Sequence, residues 1–240
     1  MSEKVVGVIG GMGPEATSYF YMRLITRTPA RRDQEHLRVI IDSNAKIPDR
    51  TGSILAGEPE KALEAIASSA QLLEEMGAEL LVMPCNSAHY FYDDLIPRIH
   101  VPMLDMIEEV FARIEQEGLG QVGLLATTGT VRTGVYARAA GDIGLIEPSE
   151  EDQEAIHQAI YEIKEHGGGE ADRLRAQILA VVGHLKARGA EGVILGCTEL
   201  PLLFGPEGEE GGTRRFDSTE ILVEATLREA YPRLREGPYS

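Results

Sequence analysis

The sequence predicts an α/β fold of two similar lobes, each a mainly parallel sheet flanked by helices. Three observations predict it. Short β-branched runs bounded by Gly or Pro alternate with longer helical patterns, as βαβ units require. A strand running into a small-residue turn occurs near the N-terminus and again at mid-chain, and a strand ending in a cysteine also occurs twice. At 240 residues and 43% hydrophobic positions, the chain can bury one large core or two of about 110 residues each.

Strands are predicted near 4–10, 37–43, 79–84 and 101–104, then near 121–126, 143–147, 191–196 and 214–216. The clearest helical pattern runs from Glu58 to Met76, where Ala62, Ile66, Ala70, Leu73 and Met76 recur at three- and four-residue steps. Gly77 supplies its stop. The stretch GPEGEEGG at 205–212 is too polar for a core and is expected to be an exposed loop.

The repeat sets VVGVIGGMG at 5–13 beside QVGLLATTG at 121–129, and ELLVMPCNSAH at 79–89 beside EGVILGCTELP at 191–201. Gly7 to Gly123 is 116 positions and Cys85 to Cys197 is 112, so two landmarks share nearly one offset. A duplication accounts for this. The expected organisation is a first lobe of 1–115 with 217–240 and a second of 116–216, with the active site between them. The crossover is a helix from Met106 to Gln116, and a last helix, Ser218 to Tyr231, returns to the first lobe.

A net charge of −16 argues against a nucleic-acid partner, which needs a basic face to displace counterions. No apolar run approaches the roughly 18 residues of a membrane span, and Met1 to Lys4 runs straight into a strand-like segment with no leader-type apolar region. A cytoplasmic enzyme is expected. Two cysteines make neither a disulfide framework nor a Cys-based zinc site. Six scattered His without HExxH leave a metal unsupported. GGMGP lacks the third Gly of GxGxxG, and no GK[ST] occurs, so neither nucleotide fingerprint is met.

Ligands in open α/β sheets bind at the carboxyl ends of strands, where both cysteines, GGMGP and TTGT are expected. A thiol between a strand end and a helix start is expected to have its pKa lowered by the helix N-terminus. Asn86 and Thr198, each directly after a Cys, are residue types that cap helices or bond a carboxylate. A single Cys would read as a small buried hydrophobe. The matched placement of two favours chemistry, with a regulatory disulfide as the other reading. His89, four residues after Cys85, shares a helical face with it and reads as structural more than as a nucleophile's partner.

Five segments carry a resemblance: GGMGPEAT at 10–17, IPDRT at 47–51, MPCNSAH at 83–89, LLATTGT at 124–130 and GCTEL at 196–200. Taken in this order they resemble the motifs of the aspartate/glutamate racemase superfamily, most like aspartate racemases. Ser87 stands where Thr is more usual and keeps the hydroxyl. Glu199 stands where glutamate racemases commonly have His, which points to the aspartate branch. The resemblance implies a racemase without pyridoxal phosphate, metal or other cofactor, in which Cys85 and Cys197 act as facing acid and base on Cα. It assigns Arg50, in the polar loop after the second strand, to the substrate's side-chain carboxylate, and Lys164 as a second cation across a one-residue gap. Without the resemblance, Arg50 reads equally as a solvated partner of Asp49, and Lys164 as an ordinary exposed lysine. Met12 and Thr130 would line the pocket with Asn86, Ser87 and Thr198. The implied partner is a small amino acid, dicarboxylic by preference, and homodimers are common in the family. The rivals are a same-fold isomerase or decarboxylase that uses one thiol, and a non-catalytic amino-acid-binding or redox-sensing module.

Overall fold

In the computed structural model the described residues are 3–166, 171–204, 209–210 and 212–231. In chain order the first elements are β1 (Val6–Gly10), α1 (Pro14–Arg27), β2 (Val39–Ser43), α2 (Arg50–Leu55), α3 (Glu60–Glu75), β3 (Leu80–Val82), α4 (Tyr92–Leu95) and α5 (Met106–Gln116). There follow β4 (Gln121–Leu125), α6 (Thr128–Thr133), α7 (Val135–Ala139), β5 (Gly144–Ile146), α8 (Glu150–His166), α9 (Ala171–Ala187), β6 (Gly192–Leu195), α10 (Pro201–Phe204), β7 (Glu209–Glu210), β8 (Thr213–Asp217) and α11 (Ser218–Ala230). The chain divides into two compact units, Met1–Met106 with Thr219–Ser240, and Ile107–Ser218.

In the first unit β1 lies between β2 and β3, parallel to both, with Val6 opposite Val39 and Leu80. All of β1 is buried. Alternation sorts its side chains onto two faces. Val6 and Val8, with Leu80 and Val82, pack against Phe20 and Leu24 of α1 and Leu222, Val223 and Leu227 of α11. Ile9 and Leu81 face Ile66, Ala70 and Leu73 of α3. Gly7 lets α3 and β3 approach, because a Cβ there would lie 2.7 Å from Leu81 Cδ2 and 2.8 Å from Ala78 Cβ. Arg23 and Arg27 of α1 pair with the buried carboxylate of Glu220, fixing α11 beside α1.

Two sequence expectations in this unit need correction. Residues 101–104 form no strand: Met103 makes a single bridge to Leu81, with Leu81 N donating to Pro102 O and Leu104 N to Leu81 O. Pro102 has no N–H with which to extend the ladder. The helix expected over Glu58 to Met76 is α3, which buries Ala62, Ile66, Ala70 and Leu73 but leaves Met76 54% exposed at its C-cap.

In the second unit the strand order is β5-β4-β6-β8-β7, parallel apart from the β7 edge. Its first three strands repeat the first unit's order, with the earliest strand central and flanked by the second and third. Gly123 matches Gly7 in role, since a Cβ there would meet Leu185 of α9 at 2.8 Å. The core on this face joins Leu125, Val193 and Leu195 to Ile156, Ile160 and Ile163 of α8 and Ile178, Val181 and Leu185 of α9. Of the expected loop at 205–212, Glu209–Glu210 form β7, and residues 205–208 and 211 lie outside the described residues. No helix among the described residues is long and apolar enough to cross a membrane.

Candidate active site

The repeated strand order delivers equivalent strand ends. β3 runs through Met83 and Pro84 to Cys85, and β6 runs through Gly196 to Cys197. Both cysteines are free and buried.

Around Cys85, the thiol lies 3.6 Å from the Ser87 hydroxyl. The chain then enters a short 3-10 helix, Ser87–Phe91, with Asn86 at its head. Asn86 is buried, but its side chain makes no cap bond to that helix, contrary to expectation. His89 is fixed from both sides: its Nδ1–H donates to Cys85 O at 2.9 Å, and its Nε2 accepts from Met106 N at 3.1 Å. Burial first, opposed by the Asp105 carboxylate, holds its pKa below the ordinary histidine value. A neutral imidazole with both nitrogens engaged by backbone orients the turn and is not a base for the thiol.

Met12 and Cys85 share one core cluster. The turn that carries Met12, between β1 and α1, is built by Gly11 at φ +85° and by Thr17, whose hydroxyl accepts from Gly11 N at 2.9 Å and donates to Gly13 O at 2.8 Å. Arg50 begins α2 and is buried, not a solvated loop residue. Asp49 caps that helix through Gly52 N. The Arg50 guanidinium donates to three carbonyls, Ile47 O at 3.3 Å, Pro48 O at 3.0 Å and Met12 O at 3.4 Å, while its Nε is buried with no partner. Among the described residues no carboxylate pairs with it. A guanidinium carries a charge that dipoles alone balance poorly, and this one is suited to a carboxylate.

Around Cys197 the chemistry differs. The thiol donates to Glu199 Oε2 at 2.9 Å, and Thr198 Oγ1 donates to the same oxygen at 3.4 Å. Lys164 Nζ, arriving from α8 beside the Tyr161 ring, stands 3.6 Å from Glu199 Oε1. Burial first, then the Glu199 charge, pushes the Cys197 thiol well above its ordinary pKa, with Lys164 opposing. This reverses the expected lowering. The helix that follows, α10, has four residues, too few for an aligned peptide dipole to outweigh desolvation and a carboxylate in contact. Thr198 likewise bonds Glu199 where a cap was expected. In the turn after β4, Thr127 caps α6: its Oγ1 accepts from Thr130 N at 3.3 Å and lies 3.0 Å from Thr130 Oγ1. Gln153 of α8 donates to Ala126 O at 2.9 Å behind this turn. Among the described residues no group of three or more His, Cys, Asp or Glu is placed to hold a metal ion.

The family model for Asp/Glu/hydantoin racemases matches residues 9–226. The chain belongs to that racemase family. Among solved structures, it resembles the Picrophilus torridus aspartate racemase (28% identity, TM-score 0.82, covering 97% of this chain and 98% of that one). It also resembles an aspartate racemase homologue from Pyrococcus horikoshii OT3 (28%, TM-score 0.75, 95% and 99%). Among curated sequences it is 27% identical over 228 residues to the broad specificity amino-acid racemase RacX of Bacillus subtilis strain 168, covering 93% of this chain and 96% of that one. For a racemase, the residue that the motifs undervalued is Glu199: GCTEL marked a branch of the family, and only the folded turn shows its carboxylate on the thiol. A buried acid two residues from a cysteine was the available signal.

Proposed function

We infer that the chain interconverts the enantiomers of an acidic amino acid, aspartate first, through two thiols and without a cofactor. The observation that carries this reading is the delivery of Cys85 and Cys197 by equivalent strand ends of two units with the same strand order. Inversion at Cα needs one group to take the proton from one face and another to return a proton to the opposite face. Two thiols from a repeated scaffold supply one each. The α-carbanion forms beside a carboxylate, so fixed donors must offset the growing charge; the backbone amides of the turns after β1 and β4, with Asn86 and the hydroxyls of Ser87, Thr130 and Thr198, are the groups for this. Arg50 receives the side-chain carboxylate: it is buried, its Nε has no hydrogen-bond partner, and among the described residues no carboxylate pairs with it.

The test is incubation of the full set of L-amino acids with chiral detection of D-product. Aspartate giving the fastest D-product supports the reading. Ligand binding or α-proton exchange without inversion counts for a single-thiol enzyme or a binding module. A broader specificity is the second reading, favoured by Lys164, which already faces Glu199, and by the likeness to RacX. It predicts neutral amino acids racemised at rates comparable to aspartate.

A further inference from the structure

The two thiols sit in unequal surroundings. Two residues after Cys85 stands a hydroxyl, Ser87, at 3.6 Å from the sulfur; two residues after Cys197 stands a carboxylate, Glu199, at 2.9 Å. Glu199 is 3% exposed. Among the described residues, the charged or titratable groups facing it are Cys197 on its own turn and Lys164 on α8, so its charge acts on the thiol with little water to screen it.

We propose that Glu199 is a positioning residue that holds Cys197 as the proton-carrying partner in the substrate-free enzyme, so that Cys197 enters the reaction as the acid and Cys85 as the base. This rests on the two-thiol reading above and deepens it. For the enantiomer that presents its α-proton to Cys85, the Cα–H bond breaks toward the Cys85 thiolate and a new Cα–H bond forms from the Cys197 thiol, leaving a Cys197 thiolate beside Glu199. That product state is the costly one. Before the next cycle the proton on Cys85 returns through solvent to Cys197. The opposite enantiomer starts from the minor state, in which Cys197 has given up its proton. Lys164 works against Glu199: it neutralises the carboxylate, and an incoming anionic substrate that draws Lys164 away tightens the hold of Glu199 on the proton.

The experiment is iodoacetamide alkylation of the native full-length chain as a function of pH, read separately at Cys85 and Cys197 by peptide mass spectrometry. It is paired with the pH profile of kcat/KM for racemisation. Glu199→Gln keeps the size and hydrogen-bonding capacity of the side chain but removes the charge. The midpoint for Cys197 alkylation should fall by about one pH unit or more, with Cys85 unmoved, and the alkaline limb of kcat/KM should fall with it. Lys164→Met should move the Cys197 midpoint upward. A purely structural role would lower rates while leaving the positions of both profiles unchanged, and would overturn the proposal. So would a Cys197 midpoint that stays put in both variants. If the midpoints move as stated but the wild type racemises no amino acid, Glu199's control of the Cys197 proton stands and the racemase reading fails.

Discussion

Arg50 shows how far a residue's role depends on its surroundings. The sequence left it balanced between a substrate cation and a solvated partner of Asp49; the fold buries it, gives Asp49 to the α2 cap, and surrounds the guanidinium with carbonyls. Losing a buried charge-assisted bond costs about 1.5–3 kcal/mol. Arg50→Ala should therefore lower kcat/KM for aspartate about ten- to a hundred-fold, while activity on alanine, where detectable, changes little. Equal losses on both substrates would assign Arg50 to local structure. Cys85→Ala and Cys197→Ala should each abolish racemisation while circular dichroism and melting stay near wild type; a folded mutant that still racemises would remove that thiol from the mechanism. The cysteines were legible because the same strand-end pattern recurs at nearly one offset along the chain. The state of Cys197 was not legible, since it depends on a carboxylate two residues away whose direction no periodicity reveals.

At the scale of elements, most strands and helices could be read from alternation and three- to four-residue recurrence, and the misses have particular causes. Pro102 reduces an apolar run to one bridge, and Met76 keeps the apolar recurrence of α3 but stands exposed as its C-cap, after the helix ends at Glu75 and just ahead of Gly77, φ +94°. The turn after β1, whose Met12 shares a core cluster with Cys85, is tightly constrained. Gly11 has φ +85°, and a Cβ there would sit 2.5 Å from Asn44 N and 2.7 Å from Ala45 N, both backbone atoms that cannot swing aside. Strain of this kind costs on the order of 1–3 kcal/mol before any clash is counted. Gly11→Ala should lower the melting temperature measurably and impair activity more than stability, because the same turn carries Met12, whose carbonyl accepts from Arg50. Thermal melts run beside kinetics check this. A variant with normal melting and normal kinetics would show that the turn relaxes freely.

Over the whole molecule, the division into two units with matching strand order means each thiol belongs to its own sheet, and the labelling pattern of the product should reflect that. In heavy water, L-aspartate deprotonated by one thiol should receive its new proton from the other, already exchanged with solvent. D-aspartate formed at early times should thus carry deuterium at Cα while the remaining L-aspartate stays largely unlabelled. Mass spectrometry of the separated enantiomers reads this directly, and product retaining much of the original hydrogen would indicate one base serving both faces. His89 adds a consequence of another kind. Its ring joins the carbonyl of Cys85 to the amide of Met106, the last residue of the first unit's main segment and the first of α5. Because burial keeps His89 neutral, the unfolded chain takes up a proton first as pH falls through the ordinary value of 6.5, so the stability it contributes is full above that pH and drains away below it. A protonated Nε2 can no longer accept, and the Met106 amide is the bond released. Acid should therefore unfasten the Cys85 turn from the start of α5 before the sheets give way. Hydrogen exchange would record it as a loss of protection at Met106 between about pH 7 and pH 5 while amides of β1 remain closed, and equal protection at Met106 across that range would show that the clasp holds.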